Sequence, residues 1–192
     1  MKELILIGGG GHCTSCIDVI ESVGHFIIKG ILDLPEKLGS EILGYQIFGT
    51  DQDLPKMVTN DIFFLITIGQ IKDPQPRIRI YNELKRQSAR LATIVSPNAY
   101  VSQHAKVGEG TIIMHGATVN ANSIIGSNCI VNSHSLVEHD AKIMNHCHIS
   151  TSAVVNGGVI VGEGSFLGSG AVTNQYISIP PFSFIPAHSL AK

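Results

Sequence analysis

The second half of the chain repeats a six-residue pattern of apolar and polar positions. From Val95 onward every sixth residue is aliphatic, with Thr173 as the only break. Most of these anchors are followed, four places later, by Ala, Ser, Thr or Cys. One bulky and one small inward side chain per six residues suits a narrow prism of short parallel strands, with Gly and Asn at corners where φ can be positive. The pattern therefore predicts a parallel β-helix of hexapeptide repeats.

The first half of the chain follows a different pattern. Continuous apolar runs at 4–7, 26–32 and 62–68 alternate with helix-like stretches near 12–23, 51–57 and 76–88. Runs without alternation are typical of strands covered on both faces, so we predict a small Rossmann-like β-α-β-α-β sheet. Its third helix places apolar residues near one side and its arginines and lysines on the other. We expect an α/β domain over residues 1–92 and a β-helix domain over residues 93–192.

The composition of the chain disfavours some classes of binding partner. The formal net charge is −2 and no basic run is present, which argues against nucleic acid or an anionic membrane as the main partner and favours a small molecule. The longest apolar run, 62–68, is about a third of a membrane span, and the N-terminus lacks a signal sequence. We therefore expect a cytoplasmic protein.

Four cysteines are present, and we interpret them as reduced thiols. Cys129 and Cys147 fall at the small inward position of the repeat, where we expect packing. Cys13 and Cys16 beside His12 have redox or metal-site spacing, but no second pair follows downstream.

Three strand ends of the α/β half carry candidate ligand-binding residues. The first strand is followed by glycines 8–11 and His12, the second by Asp33 and the third by Gly69. Ligands of open parallel sheets bind at these ends. Glycines admit a phosphate to a helix N-terminus, and Asp33 can accept a sugar hydroxyl. Cys13 stands where the third glycine of a dinucleotide fingerprint belongs, so NAD is less favoured than a nucleotide sugar; a simple tight turn is the structural alternative.

Six of the nine histidines lie on the repeat. His104, His134 and His146 occupy a corner position, where we expect solvent-facing side chains. His139 stands between Glu138 and Asp140, and a carboxylate beside an imidazole is what a general base near neutral pH requires. A purely structural role for it is the alternative at this point.

A zinc site is a further alternative for the repeat histidines. His134 and His139 have the spacing of the histidine pair in zinc carbonic anhydrases of β-helix fold. The place two coils earlier is Asn98, however, and two ligands do not make a catalytic zinc site. We therefore expect no metal.

The most specific segments are LILIGGGGH ending at His12, GILD ending at Asp33, Ile68-Gly69 followed by Arg77, and NSHSLVEHD at 132–140 followed by His148. With these the chain resembles bacterial sugar acetyltransferases that join a small nucleotide-sugar-binding α/β domain to a left-handed hexapeptide β-helix. The family includes sialic acid O-acetyltransferases and N-acetyltransferases of UDP-4-amino sugars. The resemblance implies acetyl-CoA as co-substrate and a homotrimer with sites between neighbouring β-helices.

The resemblance also implies roles for individual residues. His139 would be the general base, oriented by Asp140. Asn132 and Glu138 would lie near the acceptor sugar. Acetyl-CoA would contact His148, Gly157 and Ser169. The nucleotide sugar would be held by Gly9, Gly10, Gly11, His12, Asp33 and Gly69.

We therefore predict acetyl transfer from acetyl-CoA to the amino group of a UDP-4-amino-type sugar in bacterial glycan biosynthesis. Direct attack on the thioester needs no acetyl-enzyme. O-acetylation of a sialic-acid-like sugar uses the same base and is the first alternative. A non-catalytic sugar-binding or assembly module is the second, since a β-helix is stable without an active site.

Overall fold

The computed structural model describes residues 1–192, which form two compact units. The first contains Met1–Gly69 and Gln75–Ala92, and the second contains Gln70–Pro74 and Thr93–Lys192. The segment 70–74 thus belongs to the second unit, whereas the division drawn from the sequence placed it in the first. No helix combines the length and the apolar character needed to cross a membrane.

The first unit is a Rossmann-like sheet with three helices, as the sequence predicts. Its strands are β1 (Lys2–Ile7), β2 (Phe26–Leu32), β3 (Glu41–Ile42), β4 (Tyr45–Gly49), β5 (Ile62–Ile66) and β6 (Arg90–Leu91), in the order β3-β4-β2-β1-β5-β6. Its helices are α1 (Gly11–Val23), α2 (Leu54–Met57) and α3 (Gln75–Arg86). Strand β1 is parallel to both β2 and β5, so the loops that follow these three strands lie at the same edge of the sheet.

Two features of this unit differ from the prediction. The antiparallel β3–β4 hairpin was not predicted, because its strands lack a continuous apolar run. Arg77 does not join the solvent-facing side of α3: it is buried, and its Nη1 donates to the carbonyls of Ile66 at 2.8 Å and Ile68 at 2.6 Å. Burial of a guanidinium is tolerated here because those two carbonyls, at the end of β5, accept its protons.

The second unit is a left-handed parallel β-helix, which confirms the predicted fold. Each strand pairs with the strand eighteen residues away, as Ile112 does with Ile130. The strands form three ladders. The first comprises Ile94–Val95, Ile112–Ile113, Ile130–Val131, His148–Ile149, Phe166–Leu167 and Phe184–Ile185. The second comprises Tyr100–Val101, Thr118–Val119, Leu136–Val137, Val154–Val155, Val172–Thr173 and Leu190–Ala191. The third comprises Lys106–Val107, Ile124–Ile125, Lys142–Ile143, Ile160–Val161 and Ser178–Ile179.

The interior of the prism contains the predicted anchors. Those from Ile113 to Leu167 are almost completely buried. Thr173, the break in the pattern, is buried too, and its hydroxyl accepts the N–H of Asn156 at 2.9 Å. Cys129 and Cys147 are buried as predicted, and each thiol donates to a backbone carbonyl. These interior hydroxyl and thiol groups are therefore hydrogen-bonded.

The corners of the prism adopt positive φ, three places after the anchor. Gly and Asn occupy several of them, as expected, but so do His134, Asp140, His146, Ser152, Tyr176, Phe182 and His188. Non-glycine residues adopt this conformation at a cost, so side chains at these corners are candidates for function.

Candidate active site

His139 and Asp140 form a hydrogen-bonded pair on the outside of the β-helix. The Nδ1 of His139 lies 2.7 Å from Oδ2 of Asp140. An ionised carboxylate only accepts, so Nδ1 carries the hydrogen and Nε2 keeps a free lone pair. Both side chains are about half exposed in the single chain, at 52% and 50%. The imidazole is thus oriented as a base that faces outward.

Asp140 is itself fixed by the coil that precedes it. Its Oδ1 accepts from Nδ2 of Asn122 at 2.6 Å, and its backbone has φ +61°. The hydrogen bonds from His139 and from Asn122 lower the pKa of the Asp140 carboxyl. Asp140 therefore stays ionised near neutral pH and holds the tautomer of His139.

Gly157 supplies the floor beneath the imidazole on the following coil. A Cβ at position 157 would lie 2.8 Å from Cε1 and 2.9 Å from Nε2 of His139, so only glycine leaves the ring room. At corresponding corners the N–H of Ala121 or Ser133 donates to the preceding asparagine side chain.

At the Gly157 corner the preceding asparagine behaves differently. Asn156 turns its amide to the Thr173 carbonyl at 2.5 Å instead. The Gly157 N–H therefore does not donate to the preceding asparagine side chain, as the N–H groups of Ala121 and Ser133 do.

The predicted acceptor-side residues are held by further amides. Glu138 accepts from Nδ2 of Asn120 at 2.8 Å, again one coil earlier. The Oδ1 of Asn132 accepts from the N–H of Ser133 at 2.8 Å, and its Nδ2 lies 3.2 Å from Nε2 of His148. Both side chains are partly buried and have fixed orientations.

His148 is buried and uses both ring nitrogens inside the second unit. Its Nδ1 lies 2.5 Å from the carbonyl of Gln70, which can only accept. His148 is therefore protonated at Nδ1 and accepts from Asn132 at Nε2. Its ring also makes an edge contact with Phe166 at 5.2 Å between centroids.

His146 does not face solvent, contrary to the prediction. It is buried, its Nδ1 lies 2.9 Å from Nδ2 of Asn128, and its carbonyl accepts from Nε2 of Gln70 at 2.9 Å. The cause is segment 70–74, whose Gln70 lies against this coil. His104 and His134 are exposed as predicted.

Ser169, predicted to contact the cofactor, lies on the coil after His148. Its hydroxyl is 3.1 Å from that of Ser150, and the residue is partly buried. Ser150, one coil earlier, is buried, whereas Ser169 is partly exposed.

The predicted nucleotide-binding residues of the first unit converge at the end of β1. Oδ2 of Asp33 accepts from the Gly9 N–H at 2.7 Å and from Lys37 Nζ at 2.8 Å, and Oδ1 accepts from the Leu34 N–H at 2.8 Å. Although partial burial opposes ionisation, these donors lower the pKa of Asp33. Asp33 therefore shapes the glycine loop as an anion.

Gly10 and Gly11 leave open space at the start of α1. A Cβ at either position would meet nothing within 4 Å, and no side chain caps the helix. A Cβ at Gly69 would approach the Cβ of His12 at 3.5 Å, so these two predicted residues are neighbours. A cavity of about 220 Å³ adjoins the loop, with Gly8, Asp33, Leu34, Asp51, Ile68, Pro76 and Arg79 as its lining.

The paired cysteines of α1 are buried thiols. Burial raises the pKa of Cys13 to about 11 and that of Cys16 further still. The Sγ of Cys16 lies 3.4 Å from Nε2 of His12. No group of three His, Cys, Asp or Glu side chains that could hold a metal ion is present.

Sequence reasoning missed three residues that contact the predicted site: Asn120, Asn122 and Gln70. The two asparagines precede Glu138 and Asp140 by eighteen residues, one coil of the β-helix, so the repeat itself could have indicated them. Gln70 lies 78 residues from His148, and no sequence pattern connects the two.

Comparison with known protein families finds a match in each half of the chain. Residues 3–84 match the PglD N-terminal domain, and residues 104–139 and 140–175 match the bacterial transferase hexapeptide repeats. A search of curated protein sequences finds no significant match.

Solved structures resemble the whole chain. PerB from Caulobacter crescentus, in complex with CoA and GDP-perosamine, is 28% identical, with 100% of this chain and 89% of that one covered and a TM-score of 0.90. A histidine-to-asparagine mutant of perosamine N-acetyltransferase from the same organism, also with CoA and GDP-perosamine, is 27% identical over the same shares, with a TM-score of 0.92.

The acetyltransferase domain of PglB from Neisseria gonorrhoeae is 24% identical, covers 100% of this chain and 92% of that one, and has the same fold with a TM-score of 0.91. The chain therefore joins a PglD-type N-terminal domain to bacterial transferase hexapeptide repeats, and its whole length resembles sugar N-acetyltransferases of known structure.

Proposed function

We propose that the protein is an N-acetyltransferase that moves an acetyl group from acetyl-CoA to the amino group of a nucleotide-linked sugar. The observation that carries the proposal is the 2.7 Å bond from His139 Nδ1 to Asp140, which leaves Nε2 free to accept a proton. The similarity to PerB, bound to CoA and GDP-perosamine, supports these two substrates.

His139 acts as the general base in this proposal. As the sugar nitrogen attacks the thioester carbonyl, Nε2 of His139 takes a proton from it, and the imidazolium that forms is stabilised by Asp140. The C–S bond then breaks, and the leaving thiolate takes the proton back from the His139 imidazolium, so that CoA departs as the thiol and the base is regenerated. A positioned base supplies roughly 10² to 10⁴ in rate, and the remainder comes from holding the two substrates together.

Gly157 is proposed to stabilise the oxyanion. Gly157 lies directly against the imidazole, and the side chain of the preceding Asn156 donates to the Thr173 carbonyl. A backbone donor aimed at the developing charge is worth about 3 kcal/mol in comparable sites. This gives the Gly157 backbone a part in the reaction beyond making room for His139.

The remaining predicted contacts are part of the proposal. Glycines 9–11 at the start of α1 would accept the sugar nucleotide's phosphates, with His12, Asp33 and Gly69 around them. Asp33 already accepts three protein donors, so its remaining capacity is one hydroxyl. Asn132 and Glu138 would contact the amino sugar, and His148 and Ser169 the acyl donor.

We also propose a cytoplasmic homotrimer. The face next to Asp140 exposes Ile124 at 41% and Ile160 at 40%, and a cavity of about 440 Å³ beside them is lined by Asp140 and Lys142. Exposed apolar side chains beside a half-exposed base favour the packing of a neighbouring β-helix against this face, where it would complete the site. Light scattering after size exclusion would give three times the 20.5 kDa chain mass if this is right.

The test is a transfer assay with acetyl-CoA and a panel of UDP- and GDP-linked amino sugars, in which thiol release is followed and the product mass is measured. We expect a gain of one acetyl group on the amino sugar, and a loss of 10² or more in kcat for His139→Ala with the fold intact. Retention of most activity in that variant would refute the role of His139.

The same panel distinguishes the alternatives. Free sialic acids as the only acceptors would indicate O-acetylation. No binding of acetyl-CoA, measured as an unchanged thermal midpoint at saturating concentration, would favour a non-catalytic module.

A further inference from the structure

Tyr176 has no part in the predicted site, yet it lies at the same corner of the β-helix as Asp140. The corner contains Asn122, Asp140, Gly158 and Tyr176 at intervals of eighteen residues, and all four have positive φ. The Tyr176 ring is 72% exposed and its backbone has φ +56°. A bulky residue in this conformation costs about 1 kcal/mol or more, so its position calls for an explanation.

The rings of His139 and Tyr176 lie on two consecutive glycines. The imidazole covers Gly157, and the tyrosine ring covers Gly158, where a Cβ would lie 2.5 Å from Cε1 of Tyr176. The backbone links the same coils: Gly158 N–H donates to the His139 carbonyl and Tyr176 N–H to the Gly157 carbonyl, both at 3.0 Å. The glycine pair thus lies beneath two aromatic rings, the imidazole over Gly157 and the tyrosine ring over Gly158.

The direction of the acyl donor follows from this arrangement. The reacting carbonyl must lie near Nε2 of His139, the ring atom 2.9 Å from the Cβ position of Gly157. On the N-terminal side the imidazole, Asp140 and Asn122 fill the corner. On the opposite side the neighbouring ring is that of Tyr176 over Gly158, so a thioester arm that leaves the reacting carbonyl on this side meets Tyr176.

We propose that Tyr176 is a donor-contacting residue whose ring packs against the thioester sulfur and first methylenes of acetyl-CoA. The inference rests on the proposed function and adds a residue that determines donor affinity. Sulfur–aromatic contacts contribute up to about 1.5 kcal/mol, equivalent to roughly tenfold in affinity. The contact requires the ring and not the hydroxyl group.

The experiment compares steady-state kinetics of the wild type with Tyr176→Ala and Tyr176→Phe, for both substrates. We expect Tyr176→Ala to raise KM for acetyl-CoA about five- to tenfold and to leave KM for the amino sugar and the pH profile unchanged. Tyr176→Phe should match the wild type. His134→Ala is the matched control, because His134 also covers a corner glycine, Gly116, at positive φ, and it should alter neither KM.

A truncated donor locates the contact. S-acetyl-N-acetylcysteamine keeps the thioester and the adjacent methylenes but lacks the nucleotide, so the ratio of kcat/KM between wild type and Tyr176→Ala should persist with it. A ratio of one with this donor, an effect on the sugar KM, or an equal loss in Tyr176→Phe would each overturn the inference. Wild-type turnover tests the proposed function separately: an active wild type with an unchanged Tyr176→Ala refutes only the role of Tyr176.

Discussion

Gly157→Ala tests whether the imidazole must lie directly on the backbone of the next coil. The added methyl would sit 2.8 Å from Cε1 and 2.9 Å from Nε2 of His139, where ordinary contact begins at 3.4 Å. The ring must retreat by about 0.6 Å, and a displacement near 1 Å at a reacting group costs about 10²-fold. Since φ at position 157 is not positive, the alanine backbone itself is unstrained.

We expect kcat to fall by about ten- to a hundredfold in Gly157→Ala, with a change in the thermal midpoint of only a few degrees. The assay is acetyl transfer at saturating acetyl-CoA and amino sugar, accompanied by circular dichroism of both proteins. Gly116→Ala is the matched control: its methyl would lie 2.5 Å from Nδ1 of His134 at another corner. That variant combines the same clash with strain at φ +69°, so it should lose stability and keep its activity.

The reasoning would be refuted by a folded Gly157→Ala protein with more than half of the wild-type kcat. It would equally be refuted if Gly116→Ala lost as much kcat as Gly157→Ala, because the loss would then come from a general disturbance of the β-helix. A larger amount of product after a longer incubation would not count as wild-type activity, because the quantity compared is kcat.

Three further outcomes are expected. Asp140→Asn should lower kcat by 10² or more, because the amide no longer fixes the His139 tautomer. Asn122→Ala should lower kcat only severalfold, because the Asp140 carboxylate keeps its other partner, His139. A larger loss of kcat in Asn122→Ala than in Asp140→Asn would contradict this arrangement. Asp33→Asn should destabilise the protein by about 1–3 kcal/mol at pH 7 in urea titrations. Because the folded-state pKa of Asp33 is lowered, its contribution is complete above the unfolded pKa near 4 and declines as pH falls through the folded pKa, so wild type and variant should converge in acid; a constant gap would contradict this. All four cysteines are buried, so a thiol reagent should modify none in the native protein at pH 7 and all four in denaturant; rapid native labelling would contradict their burial.

The β-helix was predictable because its pattern is local and repeated. Nearly every hexapeptide supplies one anchor and one small residue, so sixteen successive hexapeptides predict the same geometry. Even Thr173 fits, since its hydroxyl finds the Asn156 N–H inside the prism. The β3–β4 hairpin was not predictable in this way: Glu41–Ile42 is two residues long, and its pairing depends on a neighbour rather than on a period.

The site was predictable to the extent that its members are neighbours in sequence. His139 and Asp140 are adjacent, so the pair could be recognised directly. Asn122 and Gly157 are one coil away on either side, which the eighteen-residue register implies once the fold is known. Gln70 could not be anticipated, because a segment from between β5 and α3 packs with the β-helix and holds His148.

Within one hexapeptide, the positions that stabilise the β-helix differ from those that carry the proposed chemistry. Val137 and Ala141 face inward and are fully buried, whereas the three residues between them face outward and take no part in the core. Packing therefore constrains the first and last residues of this stretch and leaves the middle positions free to carry the proposed base, His139, and the carboxylate of Asp140. Neighbouring coils are 18 residues apart in register, so each new side chain at this corner is placed one strand spacing, about 4.8 Å, from the last. The proposed base His139, the Gly157–Gly158 pair and the Tyr176 ring come from successive coils and are thus held one strand spacing apart, without any long loop to position them.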